Sequence, residues 1–498
     1  MKKVVFLPLD ERPCNYDFVY KLFQSEEIQL VRPEKLGSKK KAANPDEIRE
    51  FLLEECKEAY GLILSVDMLL YGGLIPSRMH HETEEVLKER LSTIRKIKEM
   101  NSQIKIYAFH CIMRCPSYNS AEEEPDYYAK YGADIFKAGV MKHKYQLKRV
   151  EEQEWIEAKS KVPADILEQF ESRREINRNM NMATIDYYEA GYLDALVFPQ
   201  DDSAPFGYTA IDQMKVRTVI QQKSFTDEII LYSGADEVAL SLTARFLNDL
   251  KGVKPKVYVK YATDAAKYMY PSYEGVRLGT TIAFHILSAG CVQTENEDKA
   301  DIYLAITAPD DHMEEAPDQP SISPNYNAER NMAELMRFVR QKIAEGKRVA
   351  IADNAYANGG ELDLIRMLNK SDILTKVSGY AGWNTNGNTL GTVLAEAVYD
   401  YHFGKTKQKQ KFLMERYIED MAYCGHVRGS VTKQIMNTDL IRFESEEAQN
   451  IVSEMVKKEL YAFVEEYMTT VAGKIDIQHI SMPWKRMFEV KLDVNFTE

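Results

Sequence analysis

Short apolar runs alternate with amphipathic stretches along most of the chain. Runs of strand character lie at 4–8, 28–31, 62–66, 104–109, 195–199 and 229–232, and a second set lies at 257–261, 302–307, 349–352 and 377–380. Several are continuous apolar blocks, as expected for strands covered on both faces. Between them, 84–99 and 328–345 place apolar residues at the three- and four-residue spacing of a helix. Strand–helix alternation of this kind predicts parallel βα units. The expected fold class is α/β, with a barrel-like or doubly wound N-terminal half over 1–250 and a second, smaller α/β unit over 251–400. A mainly helical C-terminal region follows over 401–498, in which 475–494 adds strands or a cap.

Two stretches break the rhythm. Residues 122–188 are charged and helical in pattern, with Glu151-Glu152-Gln153-Glu154 and Arg173-Arg174-Glu175. They predict a helical insertion, either one wall of a cleft or a surface helical pair. Residues 308–323, with Pro309, Pro317, Pro320 and nearby Pro324, predict a long loop. No internal repeat or low-complexity tract is present.

Composition narrows the class. The 498 residues carry 64 Lys and Arg against 77 Asp and Glu, a formal net charge of −13, with 45% hydrophobic and 28% charged residues. That balance excludes general disorder and speaks against a nucleic acid or an anionic membrane as partner. No apolar run approaches the ~20 residues of a membrane helix. The apolar start is too short for a signal-peptide core, so the cytoplasm is the expected location. Six cysteines without a CxxC argue against a disulfide framework or a structural zinc.

The chemistry gathers just after the strand-like runs: Asp10-Glu11-Arg12, Asp67, His110 with Arg114, Asp201-Asp202, Asp236-Glu237 and Asp353-Asn354. In parallel α/β folds the carboxyl ends of strands share one face, where ligand sites are built. One such Asp is explained by helix capping. The recurrence predicts a shared polar cleft. Adjacent carboxyls at Asp201 and Asp202 repel, which holds one protonated nearer neutral pH while the other stays ionised. The alternative is that Asp202 caps a turn and Asp201 pairs with an Arg. Asp236 and Glu237 follow Gly234, and one of them has the alternative role of favouring the next helix N-terminus. Asp353, Asn354 and Asn358 precede Gly359-Gly360, and Gly382-Trp383-Asn384-Thr385-Asn386-Gly387-Asn388 leads into a helix expected over 388–398. Their amides and the indole suit a sugar ring, with a polar turn and a core Trp as the alternative.

No HxH, HExxH, Walker loop, GxGxxG or GxSxG occurs. No organic cofactor and no zinc is expected, whereas an oxygen-ligated Mg²⁺ or Mn²⁺ among the aspartates stays open. Cys14 lacks an identifiable base, and Cys111 and Cys115 read as buried thiols.

Four segments together resemble a bacterial family defined as a domain of unknown function: Pro8-Leu9-Asp10-Glu11-Arg12-Pro13-Cys14-Asn15, Asp67 through Arg78, Gln200-Asp201-Asp202-Ser203 and Gly382 through Asn388. That resemblance covers essentially the whole chain and implies no activity. The Asp201-Asp202 pair is also similar to that of the barrel hexosaminidases that remove N-acetylglucosamine by substrate assistance. This likeness implies acid/base catalysis by one Asp and acetamido orientation by the other, with Asp353, Asn354 and Asn358 on sugar hydroxyls. The chain departs from that family in the long strand-bearing stretch between Asp236 and Asp353.

The expectation is a hydrolase of a glycosidic bond in a small, amino-sugar-containing substrate. Asp202 is the acid and Asp201 its partner, while Asp353, Asn354, Asn358, Trp383 and Asn384 contact sugar. Asp10, Arg12, Asp67, Arg78, Asp236 and Glu237 are further site candidates. A metal-dependent hydrolase or deacetylase and a non-catalytic sugar-binding or sensing protein are the alternatives.

Overall fold

The computed structural model describes residues 1–321 and 326–497. The chain divides into two compact units, 1–242 with 273–276, and 243–272 with 277–498.

The first unit is built on six parallel strands: β1 (Lys2–Leu7), β2 (Ile28–Val31), β3 (Gly61–Ser65), β4 (Lys105–Phe109), β5 (Ala195–Gln200) and β6 (Ile230–Ser233). Their order in the sheet is β2-β1-β3-β4-β5-β6. Val4 pairs with both Leu30 and Gly61, and each later strand adds on the same side. The sheet is open, so of the two expected architectures it is the doubly wound one. The strand order reverses between β1 and β3, where the chain leaves for β2 and crosses back. At such a switch point the loops diverge and leave a crevice at the carboxyl edge. Asp10 follows β1 and Asp67 follows β3, so both lie at its mouth.

Apolar continuity explains these strands: Val5, Leu7, Leu62, Leu64, Ile106, Ala108, Leu196 and Phe198 all enter one core. Helices cover it, each with its own end signals. Asn44 caps Pro45–Glu55 by accepting from the Asp46 N–H, and Ser65 caps Val66–Tyr71, which ends at Gly72 with φ 79°. The expected insertion is helical, as Tyr128–Gln146, Glu152–Ser160 and Ala164–Glu189. It carries a small core of its own around Tyr128, Ile135, Phe170 and Tyr208.

The second unit holds β7 (Lys256–Tyr261), β8 (Val292–Gln293), β9 (Ile302–Ile306), β10 (Glu314–Glu315), β11 (Arg348–Ala352), β12 (Tyr356–Ala357), β13 (Gly379–Ala381), β14 (Ile475–Ser481) and β15 (Lys491–Phe496). Five of these form a second parallel sheet, ordered β13-β11-β9-β7-β8. The helix Asn386–Phe403 is buried along its first fifteen residues, which is why its sequence lacks a polar stripe. The C-terminal region is helical as expected, with Glu446–Tyr467 and a π-helical turn over Tyr417–Val427, and closes on the antiparallel β14–β15 pair. The expected loop 308–323 contains β10, which pairs with β12, and a 3₁₀ turn over Ala316–Ser321. Its last part, with Ser323 and neighbouring Pro324, lies outside the described residues.

Among the described residues, no helix is long and apolar enough to cross a membrane.

Candidate functional site

Two polar clusters form at the carboxyl edge of the first sheet. The first joins the loops after β1 and β6. Arg12 donates from Nε and Nη2 to Asp10 Oδ2 at 3.0 and 2.7 Å, and from Nη1 and Nη2 to Asp236 at 3.1 and 2.6 Å. Asn15 Nδ2 donates to Asp10 Oδ1 at 3.0 Å and Asp236 Oδ1 at 2.8 Å. Burial raises the pKa of both Asp10 and Asp236, and the single guanidinium between them offsets only part of that. Gly234, at φ 123°, sits so close to the buried Glu237 that a Cβ there would lie 2.4 Å from Glu237 Oε1.

The second cluster gathers four chain segments. Arg78, 1% exposed, hydrogen-bonds Asp201 and reaches Glu124 at 3.2 Å and Glu123 at 3.4 Å. Arg114 donates to Glu124 at 2.7 Å, Glu123 at 3.0 Å and Asp202 Oδ2 at 2.8 Å. Two guanidiniums thus face four carboxyl groups. Glu124 Oε2 is buried without a hydrogen-bond partner among the described residues. Asp202 stands at the open side, its side chain 22% exposed, with its backbone at φ 34° in the left-handed region. Burial pushes its carboxyl up to about 6, Arg114 opposes that and the adjacent Asp201 adds to it. A non-glycine residue in this region is strained, and such residues concentrate at functional sites.

Asp67 lies behind these groups. Its Oδ2 accepts the Cys111 N–H at 2.9 Å, and burial pushes its carboxyl up to about 7. His110 is buried and held down to about 3 by burial, so it is neutral. Its Nδ1 lies 2.9 Å from the Thr184 hydroxyl, which itself donates to the Met180 carbonyl. The hydroxyl is therefore the acceptor, and the imidazole proton sits on Nδ1. Charge interactions tie Cys111 to Asp67, Asp201 and Asp236, and Asp236 to Asp10 and Asp201. The strand-end acids of this unit therefore share one electrostatic environment.

In the second unit, Asp353 follows β11 and is buried. Its oxygens accept from the Thr307 hydroxyl at 3.2 Å, the Glu361 N–H at 2.8 Å and the Tyr380 hydroxyl at 2.9 Å. Burial, and then the charge of Glu361, push its carboxyl up to about 7. Asp420, in the π-helical turn, pairs with Arg416 at 2.8 Å and accepts the Gly382 N–H at 3.0 Å. Burial raises it to about 7 as well. Glycine permits this packing, because a Cβ at Gly360 would lie 2.3 Å from Tyr380 Oη and one at Gly382 2.8 Å from it. Asn354 Nδ2 donates to Asn386 Oδ1, and the Asn358 N–H donates to the Asn384 carbonyl at 2.8 Å. Trp383 is 8% exposed, with its indole N–H 3.2 Å from Thr392 Oγ1. Asn354 Oδ1 and Asn388 Oδ1 are buried without hydrogen-bond partners among the described residues.

Of the sequence candidates, Asp10, Arg12 and Asp236 meet directly, Arg78 meets Asp201, and Arg114 links Asp202 to the same group. Asp353, Asn354, Asn358, Trp383 and Asn384 belong to the second unit. Arg114 stood beside His110 in the sequence without a role, and Asn15, Glu123 and Glu124 were not singled out. The adjacent acids Glu123-Glu124 just before Pro125 were the available signal. Glu361 and Asp420 carried none.

Among the described residues, no three His, Cys, Asp or Glu side chains are grouped so as to hold a metal ion. No curated protein matches the sequence. The family described as "Protein of unknown function (DUF4127)" matches residues 4–493, essentially the whole chain, and the chain belongs to that family.

Proposed function

We propose that the protein hydrolyses a glycosidic bond in a small, amino-sugar-containing substrate in the cytoplasm, with Asp202 as proton donor and Asp201 as its carboxylate partner. One observation carries this reading: a partly exposed carboxyl pushed up to about 6, on a strained backbone, directly beside a carboxylate ion-paired to Arg78. An acid that still holds its proton near neutrality delivers it to the glycosidic oxygen as the C–O bond breaks. The positive charge that develops on the sugar faces a recess in which carboxyls outnumber guanidiniums, which favours that charge over the neutral ground state. Water then bonds to the anomeric carbon and gives one proton to the Asp202 carboxylate, which restores the acid. The amino-sugar element rests on the likeness of the Asp pair to that of the substrate-assisted hexosaminidases.

The test is turnover of chromogenic glycosides, including N-acetylglucosaminides, by wild type and Asp202→Asn, with and without EDTA. The expected result is EDTA-insensitive turnover that falls by about 10²-fold or more in the variant. Turnover lost to EDTA transfers the activity to a metal-dependent hydrolase.

A second reading is favoured by the buried amide oxygens of Asn354 and Asn388. Acceptors left open in this way suit the hydroxyls of a bound sugar, as in a binding or sensing protein. Sugar-dependent thermal stabilisation without turnover would support it.

A further inference from the structure

The helical insertion and the helix Tyr208–Gln222 line a cleft of about 520 Å³ to which no residue of the acid cluster contributes. Its floor includes Leu167, Tyr208 and Ile211, which are largely buried. Around it, five cationic side chains stand against four carboxylates. That is a positive surplus on a chain whose net charge is −13. The carboxylates are unevenly engaged. Asp212 is taken by Arg174 at 2.9 Å and Arg178 at 3.0 Å, and Glu171 by Lys142 at 2.7 Å and the Tyr208 hydroxyl at 2.5 Å. Lys159 and Lys215 line the cleft and form no ion pair among the described residues. Partial burial lowers the pKa of Lys215 and the Arg178 and Lys142 charges add to that, while Asp212 and Glu175 oppose it.

We propose that this cleft binds a small organic anion. The phosphate or carboxylate group lies between Lys159 and Lys215, and its carbon body rests on the Leu167–Tyr208–Ile211 floor. A bare inorganic anion would fill only a small part of a cleft of about 520 Å³, and a neutral sugar would leave the two ammonium groups without a counter-charge. The inference is independent of the glycoside reading, since neither Asp201 nor Asp202 lines the cleft.

Calorimetric titration of the full-length protein at low salt tests it, with glucose 6-phosphate, citrate and benzoate as probes and glucose as the neutral control. At least one anion should bind saturably with a Kd of about 1 mM or tighter, while glucose gives no heat. The double variant Lys159→Ala/Lys215→Ala removes exposed side chains and should keep the wild-type Tm while weakening binding about 10-fold or more. Asp202→Asn should bind as wild type does. The proposal fails if no anion binds below about 10 mM, if glucose binds equally well, or if the lysine variant binds like wild type. It also fails if binding is lost in Asp202→Asn, which would place the ligand at the acid cluster.

Discussion

Asp202 bears two costs at once, a left-handed backbone and a carboxyl driven upward by burial, and the charges of Arg114 and then Arg78 offset part of the second. If that proton serves the reaction, turnover is full where Asp202 is protonated and falls about tenfold per pH unit above about 6. A pH profile that stays level from pH 5 to about 8 would assign the proton to another group. Asp67 makes a separate prediction, about stability. Its carboxyl rises from the ordinary range to about 7 in the folded chain, so the folded state holds a proton that the unfolded state releases. The associated stability is full below the ordinary carboxylate range and is lost as pH climbs through about 7. Asp67→Asn keeps an acceptor for the Cys111 N–H and carries no charge, so its denaturation midpoint should vary less with pH than wild type over that window. A raised carboxyl at the Asp201-Asp202 pair was expected from the sequence, although burial is a larger cause than the repulsion that suggested it, whereas the raised Asp67 carboxyl was not legible. Adjacent acids announced themselves at 201–202, but the partner Arg78 is 123 residues from Asp201, and Arg12 is 224 residues from Asp236.

At the scale of elements, strands were the legible part. All ten apolar runs became strands, with ends displaced by at most two residues, because continuous apolar blocks suit strands covered on both faces. Their lateral order was not legible, since nothing in an apolar run says which neighbour it takes. The joints between elements were hidden for a related reason, as Arg174 illustrates. In sequence it is one charge in a helical run. In the fold it is buried, and its fork donates to Asp212 at 2.9 Å, to the Arg114 carbonyl at 2.8 Å and to the Met113 carbonyl at 2.7 Å. It ties the long insertion helix to the loop that carries Arg114. Arg174→Ala should cost about 3 kcal/mol in chemical denaturation, because it removes one of the two guanidiniums on the buried Asp212 and a donor from two carbonyls, while Arg178 stays on Asp212. Arg174→Lys should recover little of that, since an ammonium cannot reproduce the planar fork. Gly360→Ala should lower stability by about 1–3 kcal/mol, because its Cβ would fall 2.3 Å from Tyr380 Oη.

For the whole molecule, composition spoke clearly about class and weakly about chemistry. All six cysteines are buried thiols. A thiol reagent should therefore modify the native protein slowly and titrate six thiols once denaturant is added. More than one rapidly reacting thiol in the native state would contradict this packing. The division of the chain has a further consequence. Residues 273–276 belong with 1–242, and the Ser203 N–H, one residue beyond Asp202, donates to the Tyr273 carbonyl at 2.9 Å. A ribosome making this protein has already released the whole six-stranded sheet before it adds that segment. At about 5–20 residues per second, the loop bearing the acid pair waits several seconds for the group that completes it. The sheet can thus assemble during synthesis while the loop bearing the acid pair is among the last parts of the unit to settle.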